Sequence, residues 1–332
     1  MLPEYARGAR NAVRACLNVR DGDRVAMIKA RSTEEIAAAI EEEAEAAGAG
    51  VRSWVMEDIV ERPAREFPRA FAEELKRYRP TVSYYCGDVL AGELAFRHPM
   101  RQLLVDELRC RHGHMPGMNR RLMLDGMAGD YEEIYRITRQ VWEIARQASQ
   151  IEVATVLGTE IRATFNPAWK WIPSDGRYWE PGQWGNLPEG ETFTAPWSVE
   201  GLIAAEEIGD YFTEKYGPLL KPVRLRVRDS RVVAVDGEPE ALRAELEGYL
   251  AQHPNSARAG EFAIGTNVGL TELVGNFLQD EKFPGVHVAF GDPYPEETGA
   301  NWDAPTHVDV LASHADVVVD GRKIMEGGRF LI

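Results

Sequence analysis

The chain has 332 residues, 44% of them hydrophobic and 27% charged, with 38 Lys plus Arg against 53 Asp plus Glu and a formal net charge of -15. This composition excludes disordered and fibrous classes, and the length allows two domains with separate cores. The acidic balance argues against nucleic acid, whose binding needs clustered Lys and Arg to displace counterions, and no stretch reaches the ~20 apolar residues of a membrane span.

The opening MLPEYARGARNAVRACLNV has no continuous apolar leader core, so neither export nor membrane insertion is expected. Residues 24 to 30 form a short apolar run behind the turn signal Asp21-Gly22-Asp23, and Ser32-Thr33-Glu34-Glu35 reads as a capping box opening an alanine-rich helix. That helix ends at Gly48 and Gly50, and residues 51 to 59 follow as a second strand, giving a βαβ unit with parallel strands. Residues 63 to 78 suit a helix and TVSYYCG a third strand, while residues 96 to 111 and 131 to 148 carry apolar side chains at helical spacing. The first half, residues 1–150, is therefore expected to be an open α/β domain with a mostly parallel sheet. No GxGxxG follows its first strand, which leaves a dinucleotide without a cradle.

Within that half, Cys16, Cys86 and Cys110 lie far apart with no CxxC spacing. Neither a disulfide framework nor a thiolate zinc site is indicated, and a reducing cytoplasm fits. The basic set Arg109, Arg111, Arg120 and Arg121 is flanked by Asp106, Glu107 and Asp125 and reads as a solvated face.

From residue 151 the texture changes. IEVATVLGTEIRATF alternates as strands do, Gly, Pro and Trp become frequent, and VRLRVRDSRVVAV and HVDVLASHADVVVDG are further strand candidates around the helix PEALRAELEGYLAQH. Residues 151–332 are expected to form a strand-rich α+β domain, with the chemistry in it. The aromatic cluster Trp169, Trp171, Tyr178, Trp179 and Trp184 either shapes a pocket or fills a core.

His307 stands two residues before Asp309, so on a strand both side chains point to one face and can bind one divalent ion. His287, flanked by Val286 and Val288, projects from a second strand. Glu191 and Glu261 each follow a glycine and precede an apolar or β-branched run; glutamate among such neighbours is costly unless paired or metal-bound. Two divalent ions need bridging anions that a single ion does not, and three carboxylates beside two histidines are the recipe for amide hydrolysis.

At these residues the sequence resembles the metalloaminopeptidases of the aminopeptidase T and aminopeptidase S type. The resemblance runs through HMPG at His114 to Gly117, GDY at Gly129 to Tyr131, NLPEGETFTAP, GEFAIGTN, VHVAFGD, THVD and VDGRKIMEGG. It implies a dinuclear cluster of zinc, cobalt or manganese with ligands Glu191, Glu261, His287, His307 and Asp309. It also implies a tyrosine ligand, for which Tyr294 has suitable spacing from His287, the alternative being a loop aromatic in DPYP. His314 is either a neighbour of the ligands or a turn residue in ASHAD. The HMPG segment either lines the entrance or is structural at His114.

The resemblance further implies a homodimer acting on a peptide or small-molecule amide, with Glu191 and Glu261 as the carboxylates able to move protons. The alternative is a mononuclear iron(II) ring-cleaving dioxygenase acting on dihydroxypyridines, which would use His287, His307 and Asp309 alone. A third reading is a scaffold that only binds a ligand.

Overall fold

The computed structural model describes residues 2–209 and 211–332. It contains two compact units, the first running to Glu132 and including Gly176–Glu189, the second made of Glu133–Asp175 and Gly190–Ile332. The expected division at residue 151 is corrected on both counts. The apolar stripe Ile137, Val141 and Ala145 of helix Tyr131–Ala145 is buried in the core of the second unit. Residues 176–189 supply a strand, Trp184–Asn186, to the sheet of the first.

The first unit is an open sheet in the order Gly50–Val55, Arg24–Lys29, Val82–Gly87, Arg111–Pro116 and Trp184–Asn186, with every neighbouring pair parallel. Its first βαβ unit is the one expected, with helix Glu34–Ala46 between the paired strands. The capping box does not form: the Thr33 hydroxyl donates to the Ala30 and Cys86 carbonyls, and no side chain caps the helix. The second strand stops at Val55, where Met56–Ile59 turns helical. The helix expected from residue 63 starts at Arg69, because Pro68 holds its own backbone extended and serves as the N-cap.

Arg111 corrects the solvated-face reading. It is buried, donates to the Leu17 and Asn18 carbonyls, and pairs with Asp23 at 2.6 Å. His114 is likewise a structural residue, buried in its strand, stacked on Tyr85 and bonded to His112 at 3.2 Å; burial holds both histidines well below the usual imidazole range and therefore neutral. Within HMPG, His114 and Met115 are thus interior strand, Pro116 ends that strand and Gly117 turns the chain at φ +73°. Cys16, Cys86 and Cys110 are buried thiols rather than disulfides.

The second unit is built from two antiparallel sheets. One has eight strands, from Arg231–Asp236 through Val223–Arg228, Ser198–Ala205, Glu160–Thr164, Gln150–Ala154 and Asp316–Val319 to the C-terminal pair. The other has six, in the order Glu207–Ile208, His307–Ser313, Gly285–Gly291, Ala259–Gly265, Glu191–Thr194 and Ile172–Ser174. A single apolar core draws on both, with Ile203, Leu225 and Val317 from the first and Phe262, Val288 and Val310 from the second. The expected fold class, α/β followed by strand-rich α+β, is borne out.

The tryptophan cluster is divided. Trp171 joins this core against Phe165 and Phe262, Trp169 packs on Trp197 and Trp302, and Trp184 in the first unit lies under the Arg101 guanidinium. Among the described residues no helix is long and apolar enough to cross a membrane.

Candidate metal centre

The six-stranded sheet sorts its residues by parity. Val286, Val288 and Phe290, with Val308 and Val310 beside them, point into the core. Period-2 alternation therefore sends His287, Ala289, His307, Asp309 and Leu311 to the opposite face. Register extends that face across the sheet: Asp309 pairs with Ala289, Ala289 with Glu261, and His287 with Ala263. Glu191 completes the row by pairing with Gly265. The five residues singled out in the sequence are thus brought together on four adjacent strands, His307 half-buried and the other four buried.

Gly291 ends the His287 strand at φ +121°, and a Cβ there would lie 2.0 Å from the Thr306 carbonyl oxygen. Gly291 pairs directly with His307. Gly291→Ala is therefore expected to destabilise the fold by about 2 kcal/mol or more and to lower activity by displacing His307, as thermal melts and rate assays would record.

The distances have a pattern. His287 Nε2 lies 3.5 Å from Glu261 Oε1 and 3.8 Å from Asp309 Oδ1, while His307 Nε2 lies 3.5 Å from Glu261 Oε2 and 3.4 Å from Asp309 Oδ2. Each carboxylate thus offers one oxygen to each histidine. Glu191 Oε2 adds a contact to His287 Nε2 at 3.6 Å. These separations exceed ordinary hydrogen bonds, but two donors each about 2.1 Å from one tetrahedral ion stand about 3.4 Å apart. Glu261, His307 and Asp309 present ligand atoms all within 4.8 Å of one another. Glu191 Oε2 is buried without a hydrogen-bond partner. Hard oxygen and imidazole donors at this spacing, with an orphaned carboxylate oxygen aimed among them, fit divalent metal.

Second contacts fix the donors. His307 Nδ1 lies 2.9 Å from the Asp292 carbonyl, which can only accept, so Nδ1 carries a proton and Nε2 is the nitrogen that faces the carboxylates. Burial alone would lower the His287 imidazole, but Glu261, Glu191 and Asp309 around it raise it to about 9. His307 is likewise disfavoured by burial yet raised to about 10 by Asp309 and Glu261. Burial raises Glu261 even with both imidazoles beside it, whereas for Asp309 His307 and His287 outweigh burial and hold it below the usual range. The carboxylates thus hold both imidazoles in the charged form, and a divalent cation would take the place of those protons.

Tyr294 stands beside this set in a left-handed conformation, its ring 4.8 Å from that of His307 and 37% exposed, so it occupies the rim. His314 lies at φ +49° between strands His307–Ser313 and Asp316–Val319 and bonds to Ser313, which makes it the turn residue.

Two residues that the sequence did not flag lie against the cluster. Lys282 Nζ, fully buried, is 2.5 Å from Glu191 Oε1 and 2.7 Å from Glu281 Oε1. Burial pushes the Glu281 carboxyl up to about 8 although Lys282 opposes it. Their only sequence signal is a charged pair, Glu281-Lys282, in the turn before an apolar strand.

Among solved structures the chain is similar to AmpT from Thermus thermophilus, at 19% identity over 99% of both chains with a TM-score of 0.72. It is also similar to the 2,5-dihydroxypyridine dioxygenase from Pseudomonas putida KT2440, at 16% identity over 98% of this chain and 96% of that one with a TM-score of 0.69. At such identities both likenesses speak for the fold alone. No curated protein sequence matches the chain. The family model for thermophilic metalloprotease (M29) matches residues 132–329, more than half of the sequence and the whole of the candidate centre. The chain therefore belongs to the thermophilic metalloprotease (M29) family and, as its motifs indicated, is a metal-dependent hydrolase.

Proposed function

We propose that the chain removes residues from the N-terminus of peptides, or hydrolyses small amides of that kind, at a dinuclear centre. Glu191, Glu261, His287, His307 and Asp309 are its ligands and Tyr294 a further ligand at the rim. The observation that carries this reading is the double duty of Glu261 and Asp309, each of which turns one oxygen to His287 and the other to His307. Two divalent ions held there, zinc, cobalt or manganese, would supply Lewis acidity towards a substrate carbonyl and acidify water near neutral pH.

The chain's own residues do the rest. Asp292 fixes the tautomer of His307, and the sheet fixes the spacing of all five donors, so no reorganisation is needed when charge develops. Three ligand carboxylates would offset three of the four positive charges of two divalent ions, which leaves the centre suited to a neutral α-amino group and a carbonyl oxygen as donors. Glu191 and Glu261 are the candidates to move the proton released during attack.

An iron(II) dioxygenase on the same fold would need only His287, His307 and Asp309. It would leave Glu191 and Glu261 as two further buried carboxylates aimed at the same point without a task, and such burial is costly. The peptidase reading employs all five. The proposal extends to a homodimer in the cytoplasm, a compartment consistent with three buried thiols.

The test combines metal analysis by plasma mass spectrometry, on protein purified without chelator or nickel, with cleavage of peptides bearing free and acetylated N-termini. About two ions per chain and a requirement for the free amine support the proposal. About one iron per chain transfers the case to the dioxygenase, and no metal after reconstitution defeats both.

A further inference from the structure

We propose that Lys282 is a positioning residue for Glu191, a clamp that decides which carboxylate oxygen faces His287. This rests on the two-cation reading above and goes beyond it by assigning a task to a residue outside the ligand set.

The argument begins with a glycine. Gly265 is the sheet partner of Glu191, and a Cβ on it would lie 2.0 Å from the Phe283 carbonyl oxygen and 2.9 Å from the Lys282 carbonyl carbon. The turn between helix Phe277–Asp280 and strand Gly285–Gly291 therefore lies flat on the sheet at Gly265, and that approach brings the Lys282 ammonium to Glu191. Its Nζ engages Glu191 Oε1 at 2.5 Å, leaving Oε2 with no hydrogen-bond partner and 3.6 Å from His287 Nε2. One oxygen is anchored and the other is presented.

Glu281 holds the far side of the ammonium at 2.7 Å. An isolated buried ammonium would be expensive, and contacts with the carboxyl groups of Glu191 and Glu281 offset that cost. A cation next to a cation site weakens binding by repulsion, so a lysine here is a poor choice unless its contribution is geometric. It satisfies Glu281 and aims Glu191, whose free oxygen faces His287. Oriented outer groups of this kind typically change metal affinity by about 10- to 100-fold.

The test is metal titration of the full-length apo-protein against a competing zinc chelator, which reads affinity at each position without reference to turnover. Wild-type protein should bind two ions. Lys282→Met is expected to weaken one of them by about 10-fold or more and to leave the other within about threefold. In a Glu191→Gln background, where that position is already weakened, Lys282→Met should produce no further change. Near-UV circular dichroism and the melting temperature of the apo forms report whether the variant folds. If it does not, Glu281→Gln replaces it, loosening the clamp while keeping the ammonium, and should weaken the same position by at least about threefold.

Two tightly bound ions in folded Lys282→Met overturn the clamp and leave the dinuclear reading intact. So does a loss that persists in the Glu191→Gln background, because Lys282 would then act through another group. A wild-type protein that binds only one ion overturns the dinuclear reading itself, and the clamp with it.

Discussion

Glu261→Gln is expected to lower kcat/KM for an unblocked peptide by about 10³-fold or more and to remove tight binding of both ions, with the apo fold intact. The two oxygens of Glu261 are 3.5 Å from the two different histidines, and a glutamine offers one acceptor oxygen and an amide that can only donate. The side chain keeps its volume, so its packing is undisturbed. Burial disfavours its charge while both imidazoles favour it, so the metal-free variant should fold and melt within a few degrees of wild type. Glu191→Gln should behave differently, since Glu191 approaches only His287 and its loss should weaken one ion. Equal loss of both ions on Glu191→Gln, or two tight ions in Glu261→Gln, would contradict the bridging geometry.

The second large effect is a dependence on pH that runs in opposite directions with and without metal. In the metal-free protein the carboxylates raise His287 to about 9 and His307 to about 10, above the 6.5 of an ordinary imidazole. Groups raised in this way contribute stability that is fully present below about pH 6.5 and is lost as pH climbs through 9 and 10. Apo-protein is therefore expected to lose melting temperature across that alkaline range, as the imidazolium ions that balance Glu261 and Asp309 are discharged.

Metal demands the opposite protonation state. Both histidines must be neutral to ligate, so each ion competes with a proton and affinity rises with pH between about 6 and 9. Calorimetric titration at pH 7 in buffers of different ionisation enthalpy should show about two protons released as both sites fill. Release of none would mean that the histidines are not ligands. Holo-protein should correspondingly outlast apo-protein in alkaline melts, with the gap widening as pH rises.

Much of this was present in the sequence because the relevant signals are local. Alternation with period 2 marked the strands bearing His287, His307 and Asp309, and the HxD spacing put the last two on one face before any partner strand was known. Glu191 and Glu261 were conspicuous as acids leading apolar runs, where burial is costly without a cation. The parallel βαβ opening was equally legible, since a strand, a helix and a glycine stop are each written in contiguous residues.

Contacts distant in sequence set the rest. The division between units depended on which core received the stripe of helix Tyr131–Ala145, and a helix carries no mark of which partner its apolar face will meet. Arg111 looked solvated because its compensation, Asp23 and two loop carbonyls, lies some ninety positions away. The capping box failed because Thr33 found the Cys86 carbonyl on another strand. Lys282 reaches Glu191 across 91 positions only because Gly265 lets a turn lie on the sheet. The sequence determined which residues carry the chemistry, since side-chain type and spacing are properties of the chain itself. Sheet register alone decided that both oxygens of Glu261 and of Asp309 would each meet a different histidine, because that depends on the alignment of separate strands.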